Sequence, residues 1–268
     1  MLKKDNNQET QINIASHNKE AWNKETEKGN IWTKPVGTDT IEKAKNGEWN
    51  VVLTPIIPVP KSWFGGDIKG KKILCLASGG GQQAPVIAAA GAEVTVFDNS
   101  PNQLASDEMV AKRDNLTIKT IQGDMRDLSI FADESFDLIF HPVSNCFIDE
   151  ITVVWRECYR VLKKGGILLS GFGNPVPYIF DEEEWDNRQN IKVSYKIPYS
   201  DLEQLPKDQL ESKIARKETL CFGHTLDDQI GGQINAGFAI TGFYEDGGAG
   251  DFIDQYIKVF IATKAVKN

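Results

Sequence analysis

The sequence predicts an α/β fold: a three-layer Rossmann-like sandwich around one mostly parallel sheet. Three observations predict it. Between Lys71 and Phe172, short apolar runs alternate with stretches of helical length and pattern. Several of those runs, KKILCLA (71–77) and GILLSGF (166–172) among them, are continuous rather than alternating, as strands buried on both faces are. The first run climbs straight into three glycines in ILCLASGGGQQAP (73–85). Glycine inside a regular element costs roughly 1 kcal/mol against alanine, so three together mark a sharp turn or a close approach.

The elements follow in order. Residues 1–70 read as an N-terminal cap segment. Trp22 and Ile31 lie in a charged, helix-compatible stretch (17–32), and prolines 55, 58 and 60 in VVLTPIIPVP forbid a long helix beyond it. The core spans 71–268. It opens with a strand at 71–77, an alanine-rich helix at 82–92 and a strand at 93–98. A helix at 100–114 follows, with Ser100 as N-cap and Pro101 at its first position. Strands at 116–124 and 135–143 come next, then a helix at 149–166 that closes on Lys163, Lys164 and Gly165. The fifth strand is 166–172. An insertion occupies about 173–220 and carries Trp185, Tyr195 and Tyr199. Thr225 with Asp228 three positions on opens a further helix as a variant capping box. Two strands, 236–247 and 252–265, joined by a short connection, form an antiparallel pair.

The bulk numbers bound the function. With 40% hydrophobic and 25% charged residues in 268, the chain has the composition of an ordinary soluble globular protein. No apolar run reaches the roughly 20 residues of a membrane span, and no apolar region follows the first lysines as in a secretion signal. A net charge of −8 is poorly suited to gripping a polyanion, so the expected partner is a small molecule and not nucleic acid. Cys75, Cys146, Cys158 and Cys221 form no C-x-x-C pair, which argues against a zinc or redox motif. Cytoplasmic residence, no metal, and a monomer or homodimer are the corresponding expectations.

In an open α/β sheet, ligands bind beyond the C-terminal strand ends, where strand order reverses. A strand, glycine loop and helix followed by a strand ending in Asp98 describe a site for an adenosine-containing cofactor. Gly79-x-Gly81-x-x-Ala84 also fits the dinucleotide fingerprint, so the loop alone leaves two cofactors open. The third strand ends in Gln122-Gly123-Asp124-Met125, where an acid can accept from an exocyclic adenine amine while the methionine lies on the ring.

With these pieces in place, the sequence resembles the class I S-adenosylmethionine-dependent methyltransferases. LASGGGQ, VFDNSPNQL, IQGDM, SFDLIF and ECYRVLKKGGILLSGF run in the family's order across 71–172, and the closing strand pair belongs to the same pattern. The resemblance implies a seven-stranded sheet of order 3-2-1-4-5-7-6 with one antiparallel strand. It implies that Ala77, Ser78, Gly79, Gly81 and Gln82 form the cofactor loop, that Asp98 holds the ribose, and that Gly123, Asp124 and Met125 bracket the adenine. Asn99 and Gln103 fall on the adenosine side. The chain departs from the family at Cys75, where an acid is common, and at Ala77, where glycine is usual. Alanine there is a mild change while φ stays negative.

Methyl transfer from a sulfonium needs an oriented nucleophile and the exclusion of water more than it needs a catalytic side chain. His141, at the end of the fourth strand, is the candidate general base and cofactor-pocket residue, with wall-lining alone as the alternative. His224 is the second candidate, weighed against a plain helix-entry residue. HPVSN is not the D/N-P-P-Y/F of base-amine methylases, and Cys146 lacks the preceding proline of cytosine methylases. Trp22, Trp32 and Trp63 either close over the cofactor or anchor the cap, and the insertion's aromatics either line the acceptor pocket or form their own core. Two other readings remain at this point: a nicotinamide-dependent oxidoreductase, and a non-catalytic protein that binds S-adenosylmethionine or S-adenosylhomocysteine.

Overall fold

The apolar run Lys72–Leu76 forms strand β1 in the computed structural model, which describes residues 12–181, 191–250 and 252–268. Ile73 and Cys75 enter the core on one face of the sheet, and Leu74 and Leu76 enter it on the other. That two-sided burial is why the run does not alternate. Helix α3 (Gln83–Ala89) and strand β2 (Glu93–Asp98) follow. Helix α4 (Pro101–Asp114) starts as expected, with the Ser100 hydroxyl accepting from the Gln103 N–H. Strands β3 (Ile118–Gln122) and β4 (Phe136–His141), helix α5 (Thr152–Val161) and strand β5 (Leu162–Gly173) complete the parallel part.

Past β5, the described insertion residues hold helices Asp201–Gln204 and Lys207–Ala215. They also hold a two-stranded ribbon of β6 (Tyr199–Ser200) and β7 (Phe222–Gly223). The chain returns through a π-helical turn, Asp227–Gly231, and a short helix, Gly232–Asn235, to strands β8 (Phe238–Asp246) and β9 (Phe260–Lys267). The sheet order is β3-β2-β1-β4-β5-β9-β8, with β9 antiparallel to both neighbours. Leaving out the small ribbon, this is the expected 3-2-1-4-5-7-6.

The N-terminal segment covers one face of the sheet. Helix α1 (Ile14–Lys28) and helix α2 (Thr38–Lys45) lead into the proline-rich stretch, whose Val51, Leu53, Val59 and Phe64 join the core with Ile73 and Phe140. Asp246, buried at the end of β8, ties that stretch down. One of its oxygens accepts from the Thr54 hydroxyl at 2.8 Å and from the N–H groups of Ile56 and Ile57 at 2.8 and 2.9 Å. Opposite, α5 packs Val154, Trp155, Cys158 and Val161 onto Leu74, Leu76 and Leu168.

Two boundaries differ most from the sequence reading. Helix α5 stops at Val161 because the fully buried Leu162 pairs with Phe136 in the sheet, while Lys163 bridges to Asp137 at 2.7 Å. The Lys-Lys-Gly-Gly segment is therefore strand with a register shift, not a helix end. Strand β9 begins at Phe260, not at 252. The Phe252–Gln255 turn buries Ile253 and uses the Asp254 carboxylate to capture the N–H groups of Gly248 and Gly250. Among the described residues, no helix is long and apolar enough to cross a membrane.

Candidate functional site

A cavity of about 270 Å³ opens beyond the C-terminal ends of β1, β2, β3 and β4, at the reversal of strand order. Ala77, Ser78, Gly79 and Gln82 line it from the loop. Asp98, Asn99 and Gln103 line it from β2 and α4, and Gly123, Asp124 and Met125 from the end of β3. Gly81 and His141 do not reach it.

The question raised by the three glycines has a local answer: the protein itself approaches them. A side chain at Gly79 would place Cβ 2.7 Å from Gln103 Cβ, and one at Gly81 would meet the Ser106 carbonyl oxygen at 2.9 Å. Gly80 and Gly81 also adopt φ of +114° and +71°, where L side chains are strained. The loop therefore lies pressed on α4 and on the cap. Gln82 donates to the Ile31 and Lys34 carbonyls, and the Val36 N–H donates to the Gly81 carbonyl. Ala77 departs from expectation. Its φ is +47°, a left-handed conformation that costs alanine roughly 1 kcal/mol, so glycine's absence there is not mild.

Asp98 folds back over the loop, accepting from the Gly79 N–H and the Ser100 N–H, both at 2.9 Å. Burial raises its carboxyl, while these backbone donors act to lower it. Asp107, on α4, takes the Gly81 N–H and shares the Gly80 N–H with the Gln103 carbonyl. So the loop's donors point at acids of the protein and not outward as a dinucleotide's pyrophosphate requires, against the nicotinamide reading. Two buried polar atoms on the wall, Ser78 Oγ and Gln103 Oε1, have no partner among the described residues. Together with the acids they suit a polar, cationic adenosyl ligand. Asp124 is held by Arg126, Nη2 to Oδ2 at 2.7 Å, and Arg126 reaches on to Asp149 at 2.6 Å. Gly123 is required because a Cβ would fall 2.1 Å from Phe97 Cζ.

Both candidate histidines lie behind the cavity wall. His141 is fully buried, its Nδ1 2.9 Å from the Leu76 carbonyl oxygen and its Nε2 2.6 Å from Asn145 Oδ1, with Trp155 edge-on behind. Burial lowers its pKa, the carbonyl and amide contacts notwithstanding. His224 is likewise buried, its Nε2 3.0 Å from the carbonyl oxygens of Asn145 and Ile148, and burial lowers its pKa too. Both rings fix the turn that presents Ser144, Phe147 and Ile148 to the cavity, and neither lines it. Thr225 and Asp228 exchange hydrogen bonds as the capping-box reading requires.

Helix α1 closes the cavity. Its Trp22 meets Phe147 edge to face at 5.1 Å, and its Asn18 donates to the Phe147 and Leu220 carbonyls. Asn99 donates to the Ala15 carbonyl. Trp32 stands at the rim, half exposed. Trp63 instead packs against Tyr244, away from the site. Tyr195 and Tyr199 line a second cavity of about 360 Å³ within the insertion, and Trp185 lies outside the described residues. No group of three or more His, Cys, Asp or Glu is placed to hold a metal among the described residues.

Sequence reasoning missed Asp107, Arg126 and Asn145. Asp107 left a signal: it interrupts the apolar stripe of Leu104, Val110 and Ala111 on α4. Arg126 and Asn145 left little: Asp124 and His141 lie close in sequence, but the partners that complete their networks, Asp149 and Gln229, are distant.

Comparison with known proteins agrees with this fold. Residues 74–170 match the family described as a methyltransferase domain. A Bacillus subtilis protein described as the uncharacterized methyltransferase YbaJ is 56% identical over 254 residues, covering 95% of this chain and 98% of that protein. A solved S-adenosylmethionine-dependent methyltransferase from Mesorhizobium loti shares the fold with a TM-score of 0.58 at 17% identity, over 86% of this chain and all of that one. A second, from Listeria monocytogenes and described as putative, gives 0.55 at 19% identity, over 75% and 93%.

Proposed function

The chain belongs to the class I S-adenosylmethionine-dependent methyltransferases, and we propose that it methylates a small, largely apolar acceptor whose reacting atom needs no protein base. The observation that carries this reading is the character of the far half of the cavity. Trp22, Val52, Leu53, Val143, Phe147 and Phe260 form it. Its hydroxyls are already engaged, Thr54 with Asp246 and Ser144 with the Pro142 carbonyl. Lys19 is its charged group, and the histidines are withdrawn behind the wall.

When bound, the cofactor supplies a methyl group already activated on a sulfonium. The chain's residues orient and enclose it. Asp98 accepts from the ribose hydroxyls, Asp124 from the adenine amine, and Met125 and Phe97 pack the ring. Ser78 Oγ and Gln103 Oε1 gain the partners they lack. Helix α1, pinned at Asn18, Asn23 and Ala15, keeps water from the reacting centre. The acceptor's own acidity then sets its protonation, so amines, thiols and activated carbons are favoured over alcohols.

The test is the pH dependence of kcat/KM for two apolar acceptors of different pKa. The inflection is expected to follow the acceptor, and His141→Gln is expected to leave it in place. An inflection common to both acceptors and abolished in His141→Gln contradicts base-free transfer.

A further inference from the structure

Helix α1 carries three lysines, and two of them are engaged away from the cavity. The Lys24 ammonium donates to the Arg216 carbonyl, and Lys28 pairs with Glu25 at 2.7 Å. Lys19, partly buried, lines the cavity instead. Its ammonium forms no ion pair or hydrogen bond among the described residues. The helix offers it no acid, since the positions three and four away are Ala15, Ser16, Trp22 and Asn23. Nor do the two carboxylates of the cavity wall pair with it. Asp98 accepts from the Gly79 and Ser100 N–H groups, and Asp124 is held by Arg126. Among the described residues that line the cavity, Lys19 is the single cation.

The helix that carries this charge is fixed on both flanks. Asn18, next to it and buried, accepts from the Leu220 N–H at 2.7 Å and donates to the Leu220 and Phe147 carbonyls at 3.0 and 2.8 Å. One turn on, Asn23 accepts from the Ser100 hydroxyl at 2.8 Å. Rolling α1 to carry Lys19 away from the cavity would break one set of bonds or the other. Around the same cavity, Trp22, Phe147 and Phe260 present apolar surface. A neutral apolar ligand that fills this space strips water from the ammonium and returns no partner. A cationic ligand adds repulsion. A ligand with an anionic group returns a charge-assisted hydrogen bond, roughly twice as strong as a neutral one.

We propose that Lys19 selects an amphipathic organic anion as the acceptor: an apolar body against Trp22, Phe147 and Phe260, and one carboxylate or phosphate on the ammonium. The proposal rests on the apolar-acceptor reading of the cavity. Lys19 supplies recognition and not a base, because an ammonium has no lone pair to accept a proton.

The test is calorimetric titration of protein saturated with S-adenosylhomocysteine, with octanoate, octyl phosphate, octan-1-ol and octyltrimethylammonium as probes. The wild type is expected to bind one of the two anions at least about tenfold more tightly than octan-1-ol, and the tighter anion identifies the group. Lys19→Gln is expected to remove that margin while octan-1-ol and S-adenosylhomocysteine stay within about twofold of their wild-type affinities. Lys19→Arg is expected to keep the margin, since it keeps the charge. Melting curves check that both variants fold, and Lys19→Met, which keeps the apolar stem, replaces Lys19→Gln if that variant does not. Octan-1-ol or octyltrimethylammonium binding as tightly as both anions overturns the proposal, and so does a margin that survives Lys19→Gln. Loss of S-adenosylhomocysteine in step with the anion gives Lys19 to the cofactor and overturns it too. Wild-type protein that binds S-adenosylhomocysteine but none of the four probes would instead sink the apolar-acceptor reading.

Discussion

At the scale of single residues, the site depends on backbone positions that tolerate little. Gly123 leaves room for the Phe97 ring, so Gly123→Ala must displace it. We expect a loss of about 2 kcal/mol in chemical denaturation and a weakened adenosyl ligand, since Phe97 lines the cavity. Ala77 sits at φ +47°. Ala77→Gly relieves that strain but frees the unfolded chain, so its melting temperature should stay near the wild type. Ala77→Val adds a branched side chain where φ is positive and should lower stability by about 2 kcal/mol. Thermal melts of the pair check both. His141→Ala should unfold the protein more easily by about 2 kcal/mol, because it strands the Leu76 carbonyl and Asn145. Glycines and acids were legible here as types. Which residues faced the cavity was not, because Gly81 and His141 sit at positions of the right pattern and turn into the protein.

Among the elements, the proline-rich stretch shows how a segment with little secondary structure is fixed. Asp246 gathers Thr54, Ile56, Ile57 and its own neighbour Gly247. Burial pushes its carboxyl up, but those hydrogen bonds outweigh burial and hold it below the usual carboxylate range. A folded pKa below the unfolded value of about 3.9 means that the stabilisation is complete above that value. It is lost as pH falls through the lower, folded value. Melting curves across acid pH should therefore show wild type losing stability more steeply than Asp246→Asn. At neutral pH, Asp246→Ala should cost about 2 kcal/mol. Local chemistry made the ends of α4 and the entry at Thr225 readable, since their caps lie within three residues. The end of α5 and the start of β9 were not readable. Sheet pairing at Leu162 and the Asp254 turn are tertiary choices that override local signals.

For the whole molecule, the order of apolar runs was enough to give the sheet, because a parallel strand buried on both faces writes itself as a continuous run. The cap was visible only as aromatics and prolines, and its contacts with α4, the loop and the insertion emerge in three dimensions. Those contacts join two walls of the cavity: α1 bonds to Asn99 on one and to Phe147 on the other, and to Leu220 behind it. Cys75, where the resemblance would place an acid, is instead a fully buried thiol in the core beneath the loop.

The central claim is that the cavity in front of the glycine loop holds the adenosyl cofactor, with Asp98 on its ribose. The most direct measurement is calorimetric titration of wild type and Asp98→Ala with S-adenosylhomocysteine, with a melting curve to establish that the variant is folded. We predict micromolar binding by the wild type and a loss of at least about tenfold in the folded variant. Equal binding by the two proteins would contradict the account.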